Sequence, residues 1–304
     1  MKNIDDFETL AEFLEYFKDE ESCREHFTAI RFRNGEFCPH CGHKKIYSFA
    51  SGKRYRCASC KEDFTIKTGT VFGESKLPLK KWFIAIYLLS TTSKGISSIQ
   101  LAKHVGVTQK TGWFMDHRLR AAMQDNDGQL FGTVEADETF VGGKEKNKHA
   151  CKRKHEGRGH TGKTIVFGVA SREGKAKAKI VQSVDRPTLH KAVRQIVEQG
   201  SQIFTDEHSG YVGMPEFDHD VVNHKTGEFS RGAVHTANID SFWALFKRGY
   251  HGVYHWMSRK HMQRYVDEFA FRWNARSDSI ENIFTQVIYK VAESEQLSYK
   301  ELIA

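Results

Sequence analysis

Nothing in these 304 residues is long and apolar enough to cross a bilayer. The longest apolar run, WFIAIYLL at 82–89, stops after eight residues, where a membrane helix needs about 20. No secretory leader is expected either. The opening MKNIDDFETLAEFLEYF is acidic and amphipathic, with no basic start and no apolar stretch behind it. Cysteine is scarce outside one region: of six, only Cys23 and Cys151 lie away from two close pairs. These absences argue against membrane proteins and disulfide scaffolds and lead us to expect a cytoplasmic chain with reduced thiols. Net negative charge is lacking too. Forty-six Lys and Arg against 38 Asp and Glu leave a formal charge of +8, which favours an anionic partner such as nucleic acid.

The chain is long enough for two domains with buried cores. Residues 1–34 carry helical periodicity, with Phe7, Leu10, Phe13, Leu14 and Phe17 on one face and Cys23 in a core position. Residues 35–73 are rich in Gly, Cys and aromatics and read as short strands around a metal. Pro78 then opens the helix PLKKWFIAIYLLST. Ser97 with Gln100 caps a second helix, the turn VGV follows, and Thr108 caps a third, QKTGWFMDHRLRAAM. DNDGQ at 125–129 reads as a linker. Beyond it GTVEADETFVG, KTIVFGVASREG and KAKIVQSVD are β-rich runs. A helix TLHKAVRQIVEQG ended by Gly200, a fourth strand SQIFTDEH and a fifth, DHDVVNHK, come next, then two more helices. Three strands followed by alternating helix and strand predict a mixed α/β sheet of the ribonuclease H type.

The organisation expected is therefore N-terminal helices at 1–34, a zinc ribbon at 35–73, a helix-turn-helix at 76–124, a catalytic α/β domain at 130–276 and a C-terminal helical tail at 277–304. Within the α/β domain, KEKNKHACKRKHEGRGHTGK (144–163) has eight Lys or Arg against two Glu and no hydrophobic period. It reads as a basic loop, and Lys152, Arg153 and Lys154 are its candidates for DNA contact. In the helix-turn-helix, Gln109, Lys110 and Thr111 open the recognition helix and are candidates for base edges.

Two patterns carry chemistry. Cys38 and Cys41, then Cys57 and Cys60, make two C-x-x-C pairs with 15 residues between them. Two such knuckles supply a closed tetrahedral thiolate site for one structural Zn2+, with no position left for water. The second pattern is three separated aspartates. Asp137 sits mid-strand, on the same face as Glu135 and Thr139, where an unpaired carboxylate is unfavourable unless it is paired or ligates a cation. Asp206 ends an apolar strand, at the edge where α/β sites form. Asp240 opens a helix with the apolar stripe Ile239, Phe242, Trp243 and Phe246, and Lys247 lies seven residues on, about 10 Å along the axis. Glu135, Glu138 and Glu207 are alternative ligands. Converging carboxylates are what two-Mg2+ phosphoryl transfer requires; Mn2+ would serve similarly.

The blocks NGEFCPHCG, YRCASCKEDFTIKTGTVF, EADETFVGG, VNHKTGEFSRGAVHTANIDSFWALFKRG and SRKHMQRYVDEFAFRWNAR resemble, in order and nearly end to end, insertion-sequence DDE transposases with an N-terminal zinc ribbon, the insertion-sequence 1595 family. The resemblance implies a ribonuclease H-like core that cuts and rejoins DNA. Asp137 and Asp206 match its two invariant acidic positions. The third position is Glu or Asn in family members, followed seven residues later by Lys; here it is Asp240, with Lys247 in register. The expected function is transposition: binding of the element's terminal inverted repeats, cleavage, and transfer to target DNA by an oligomer, with Lys247 and Arg248 placing phosphates. A catalytically dead DNA-binding regulator and a ribonuclease H-like nuclease without joining activity are the alternatives.

Overall fold

A computed structural model describes residues 7–125, 127–143, 147, 149, 151, 153 and 162–304. The chain forms two compact units, Met1–Met123 together with Ser277–Ala304, and Gln124–Arg276. Among the described residues no helix is long and apolar enough to cross a membrane.

The first unit begins with α1 (Leu10–Tyr16), capped by Thr9, whose hydroxyl accepts from the Glu12 N–H while the Glu12 carboxylate accepts from the Thr9 N–H. Phe7, Phe13 and Phe17 are buried, but Leu10 and Leu14 are 45% and 39% exposed. The five do not share one buried face, because a seven-residue helix turns only its Phe13 edge inward and the other two phenylalanines flank it. Asp19 caps α2 (Glu20–Arg31), which buries Cys23, Phe27 and Ile30. Burial pushes the Cys23 thiol up to about 12, so it is an inert core residue. Strands β1 (Ile46–Ser48), β2 (Tyr55–Cys57) and β3 (Asp63–Phe64) pair antiparallel in that order.

Helix α3 (Leu79–Thr91) is apolar around most of its circumference and buries Trp82, Phe83, Ile86 and Leu89. The Glu20 carboxylate caps its start, accepting from the Leu79 and Lys80 N–H groups at 2.7 and 2.9 Å. Helices α4 (Ser98–Val105) and α5 (Gln109–Ala122) are capped by Ser97 and Thr108 as the sequence predicts. Between them Gly106 adopts φ 68°, open to glycine at little cost. A Cβ at Gly112 would stand 2.9 Å from the Ser98 carbonyl, so glycine there sets how closely α5 crosses α4.

The second unit is built on β4 (Thr133–Val141), β5 (Thr164–Ser171), β6 (Ala176–Val181), β7 (Gln202–Thr205) and β8 (Asp218–Val221), in the order β6-β5-β4-β7-β8. β5 runs antiparallel to both β4 and β6, and β7 and β8 run parallel to β4. Helix α6 (Arg186–Ile196) connects β6 to β7. It ends four residues before Gly200, because Val197 turns extended and bridges to Leu130. A short hairpin of β9 (Ser230–Arg231) and β10 (Val234–His235) leads into α7 (Ala237–Gly249), and α8 (Met262–Asn274) follows. Alternation along the sheet divides its residues between two cores. Val134 and Ala136 pack with Leu189 and Val193 of α6 on one face, while Val141, Val166 and Ala170 pack with α7 and α8 on the other.

The remaining helices, α9 (Ile280–Glu293) and α10 (Tyr299–Ile303), return to the first unit. Phe284 of α9 lies with its ring centroid 5.4–5.6 Å from those of Phe7, Phe13, Phe17 and Phe83. Arg31 donates to the Ala292 carbonyl at 2.7 Å. The segment expected as a tail thus supplies part of the N-terminal core. Phe284→Ala should cost about 3–5 kcal/mol of unfolding free energy, measured by urea denaturation; a loss below about 1 kcal/mol, the scale of a surface change, would contradict this packing.

Candidate functional site

The four paired cysteines come together in the first unit. Each knuckle is a tight turn that needs a residue with positive φ just after its second cysteine. Gly42 fills that place in the first (φ 74°) and Lys61 in the second (φ 64°). Backbone N–H groups of His40 and Ser59 donate to the Cys38 and Cys57 sulfurs at 3.4 and 3.3 Å. The Cys38–Cys60 and Cys41–Cys57 sulfurs are 3.7 and 3.6 Å apart, and all four lie within 4.8 Å of one another. Thiolates about 2.3 Å from a tetrahedral ion stand about 3.8 Å apart. The set fits one structural Zn2+ closed to water. His40 and His43 are not in the group.

The acidic site grows from the pairing of β4 with β7. Thr133, Val134 and Glu135 lie beside Gln202, Ile203 and Phe204, a constant offset of 69 positions. Asp206 follows the last residue of β7, two positions past the last pair of that register, and is close enough that its charge acts on Asp137. Asp137 lies on the same face of β4 as Glu135 and Val141, the face packed by α7. Asp240, in the first turn of α7, comes close enough that its charge acts on Asp137. Burial, then the charges of Glu138, Asp206 and Asp240, push the Asp137 carboxyl up to about 7. The Asp206 carboxylate accepts from the His208 N–H at 3.0 Å, and the Thr236 hydroxyl donates to Asp240 at 3.1 Å. The three carboxylates converge but do not form a cluster as tight as the cysteines: among the described residues, only the thiolate set has all its ligand atoms within 4.8 Å.

What positions α7 is as informative as what it carries. Its first residue is preceded by Thr236, whose side chain makes no cap hydrogen bond. Glu135 of β4 takes that role from outside the helix. Its carboxylate accepts from the Asn238 N–H at 2.7 Å, the Ile239 N–H at 3.0 Å and the Asn238 amide at 3.1 Å. Arg172 sits 3.0 Å from the same carboxylate and donates to the Ala233 and His235 carbonyls, tying the β9–β10 hairpin to the helix start. Gly168 of β5 faces Asp137 across the ladder. A Cβ there would meet the Trp243 ring at 2.7 Å, so the missing side chain lets α7 lie directly on the sheet. Sequence reasoning missed Gly168 and Arg172. An isolated glycine inside the run IVFGVAS was the available signal for such an approach.

The alternative carboxylates are engaged elsewhere. Glu135 is the helix cap just described. Glu138 points to the α6 face and accepts from the buried Tyr211 hydroxyl at 2.5 Å; burial raises its pKa. Glu207 accepts from the His224 N–H at 3.0 Å and pairs with Lys225 at 3.3 Å, pinning the loop before the hairpin. Lys247 and Arg248 are exposed in the last turn of α7.

Of the other predicted DNA contacts, Gln109 and Lys110 are exposed and Thr111 is half-buried. Gln109 donates to the Ser98 hydroxyl at 3.0 Å, Lys110 lies over the Tyr299 ring at 4.8 Å, and Thr111 shares a 2.8 Å hydrogen bond with Thr108. Arg153 is exposed, whereas Lys152, Lys154 and most of the basic stretch 144–163 lie outside the described residues.

Replacing Cys57 by Ser removes one of four thiolates from a closed site. Zinc measured by atomic emission should fall from one per chain to near zero, with increased proteolytic cleavage between residues 35 and 73. Full zinc retention would contradict the four-thiolate assignment.

Comparison with known proteins matches the segments that carry the cysteines and the aspartates. Residues 129–274 match the ISXO2-like transposase domain, and residues 18–63 match the transposase zinc-ribbon domain. A relative from Halobacterium salinarum, described as an uncharacterized protein in transposable element ISH50, is 28% identical over 261 residues, covering 80% of this chain and 87% of that protein. No solved structure matches. This chain thus carries, ribbon first, the zinc-ribbon and transposase domains of the insertion-sequence 1595 family.

Proposed function

We propose that the chain is an active DDE-type transposase that cuts and rejoins DNA with Asp137, Asp206, Asp240 and Lys247. The observation that carries this reading is the convergence of three aspartates from two parallel strands and a docked helix around a buried carboxyl. The five-stranded mixed order β6-β5-β4-β7-β8 supports a ribonuclease H-like core, and α3 to α5 support a helix-turn-helix that reads terminal inverted repeats.

The donor set fits Mg2+ or Mn2+. Three carboxylates with little mutual compensation are hard-oxygen ligands, and Asp137 is costly to ionise unless a cation joins it. Asp137, Asp206 and Asp240 would hold the metal, which supplies Lewis-acid stabilisation of charge on the phosphate and on the attacking and leaving oxygens. The residues themselves do the rest. Asp137 and Asp206 come from neighbouring strands of a rigid sheet, so the ladder limits how far apart they stand. Asp240 approaches from α7, whose start is fixed by Glu135. Lys247 and Arg248, about two turns further on, meet the DNA backbone and fix its register without reading bases. Water attacks the phosphorus at an element end, the P–O3′ bond breaks, and a free 3′-hydroxyl is left. That hydroxyl then attacks a target phosphodiester in line, expelling a new 3′-hydroxyl, so no protein–DNA covalent bond forms. Two ends must be brought together, which requires an oligomer on DNA. An Asp in the third acidic position, one methylene shorter than Glu, makes this the residue where metal spacing depends most on how deeply α7 docks.

Asp137→Asn should reduce Mg2+-dependent nicking and strand transfer on a plasmid bearing the element ends by at least 1,000-fold (about 4 kcal/mol). Binding to the ends should stay within a few-fold of the parent. Strand transfer at parental rate would sink the assignment, and nicking without any joined product would favour a simple nuclease.

The raised Asp137 pKa also fixes a pH dependence. The ordinary value is 3.8 and the folded value about 7, so in that window the folded state holds more protons than the unfolded one. This group's contribution to stability therefore falls as pH rises through the window and levels off above about 7. A bound cation must displace that proton. The gain in melting temperature on adding Mg2+ should therefore increase with pH up to about 7 and then flatten, and Asp137→Asn should abolish the increase. A gain independent of pH in the parent would contradict a cation at Asp137.

A further inference from the structure

Beyond the carboxylates, α7 runs into a segment the catalytic reading does not use. Tyr250–Tyr254 forms a π-helical turn, a local form that recurs at functional sites. His255 follows with φ 57°, a conformation costly to a residue with a Cβ. The segment is nonetheless pinned on both sides. Tyr250 and Met257 are buried, the Tyr254 hydroxyl donates to both oxygens of the buried Glu268 at 2.9 and 3.0 Å, and the His255 N–H donates to the Tyr250 carbonyl at 2.7 Å. Glu268 is itself paired with Arg272 at 2.7 Å. Between these anchors Trp256 is held outward and is 70% exposed, whereas Trp82, Trp243 and Trp273 are buried and Trp113 is half-buried. An indole in this position forgoes the burial it would gain in a core.

The surroundings define what would cover it. No Asp or Glu occurs from 241 to 266, while Lys247, Arg248, His251, His255, Arg259 and Lys260 fall within the same short stretch and are all exposed. A lone aromatic face among cationic side chains suits a nucleobase with its phosphates: the ring stacks on the base and the cations meet the backbone. A protein partner would call for a wider apolar surface, and an apolar ligand for a concave pocket; neither describes this stretch. The position along the chain also fits. Asp240 to Gly249 spans about 14 Å of helix, so Trp256 lies beyond the far end of the helix that carries the third carboxylate.

We propose that Trp256 is a nucleobase-stacking residue, taking an unpaired base of the DNA strand a few nucleotides from the carboxylate site. The strained turn at His255 sets the indole outward, and the basic residues on either side hold the phosphates. This deepens the transposase reading and rests on it for the identity of the strand, but it stands on separate measurements.

Anisotropy of a labelled single-stranded oligonucleotide, without added Mg2+, gives the affinity of the full-length protein. Trp256→Ala should weaken it roughly tenfold and Trp256→Phe should restore most of the loss, within the range of one stacked base. Parental tryptophan emission should be quenched by the oligonucleotide, and the quenching should disappear in Trp256→Phe. An abasic nucleotide scanned along the strand should relieve quenching at one position. Unchanged affinity in a Trp256→Ala protein that melts like the parent would overturn the proposal. So would a loss that follows a change in oligomeric state by sedimentation, since the ring would then be a contact between protein copies. Mg2+-dependent nicking is read in parallel. Nicking with unchanged oligonucleotide affinity removes the stacking role alone, and stacking without nicking removes the catalytic reading alone.

Discussion

β4 and β7 run parallel at a fixed offset, and the candidate active site depends on that pairing. Strands in a ladder are held about 4.8 Å apart by their backbone hydrogen bonds, a spacing no flexible side chain has to provide. Carboxylates carried just beyond such a pairing are held near one another whether or not their charges favour it. The cost appears in Asp137, whose carboxyl is pushed up to about 7 by burial and by its acidic neighbours. The fold bears this strain because the rest of both strands is buried between two helical layers. A site of this kind stores repulsion that a cation relieves.

The third carboxylate is placed by a different device. α7 begins without a cap of its own and takes one from Glu135, two residues before Asp137 on the same face of β4. The helix is thereby indexed to the strand that carries the first aspartate. Gly168 sets the depth of docking, because the Trp243 ring occupies the space that a side chain would fill. Strand pairing, helix capping and close packing thus converge on the central strand β4. Each uses backbone or buried groups other than the three aspartates.

Legibility in the sequence followed the range of the interaction. The zinc ribbon was readable because its ligands are local: paired cysteines with a turn-forming Gly42 behind the first knuckle leave few other chemistries. Caps at Ser97 and Thr108 were readable for the same reason, since each acts on the next three residues. The exposure of Leu10 and Leu14 was not, because periodicity gives a face and not the length of helix that presents it. The end of α6 was misplaced to Gly200 because Val197 is drawn out of the helix by Leu130, which lies 67 positions earlier in the chain. Nor could the helical pattern of 277–304 show that Phe284 closes a cluster of phenylalanines contributed by the first hundred residues.

By itself the sequence determined the inventory: four thiolates at metal spacing, three aspartates and a lysine in family order, a cationic chain and the elements that carry them. Those features depend on residue identity and short spacing, which the chain states directly. Tertiary structure decided which acids converge and which serve other ends. Asp206 acts on Asp137 because strands whose register spans 69 positions lie side by side. Glu135, Glu138 and Glu207 are equally acidic and nearly as close in sequence, yet they are consumed by a helix cap, a buried tyrosine and a loop. It also decided that one tryptophan of five stands well out in solvent while the others pack. The reason is the same throughout: burial and partnership belong to the folded neighbourhood, and distant segments create that neighbourhood only when they pair.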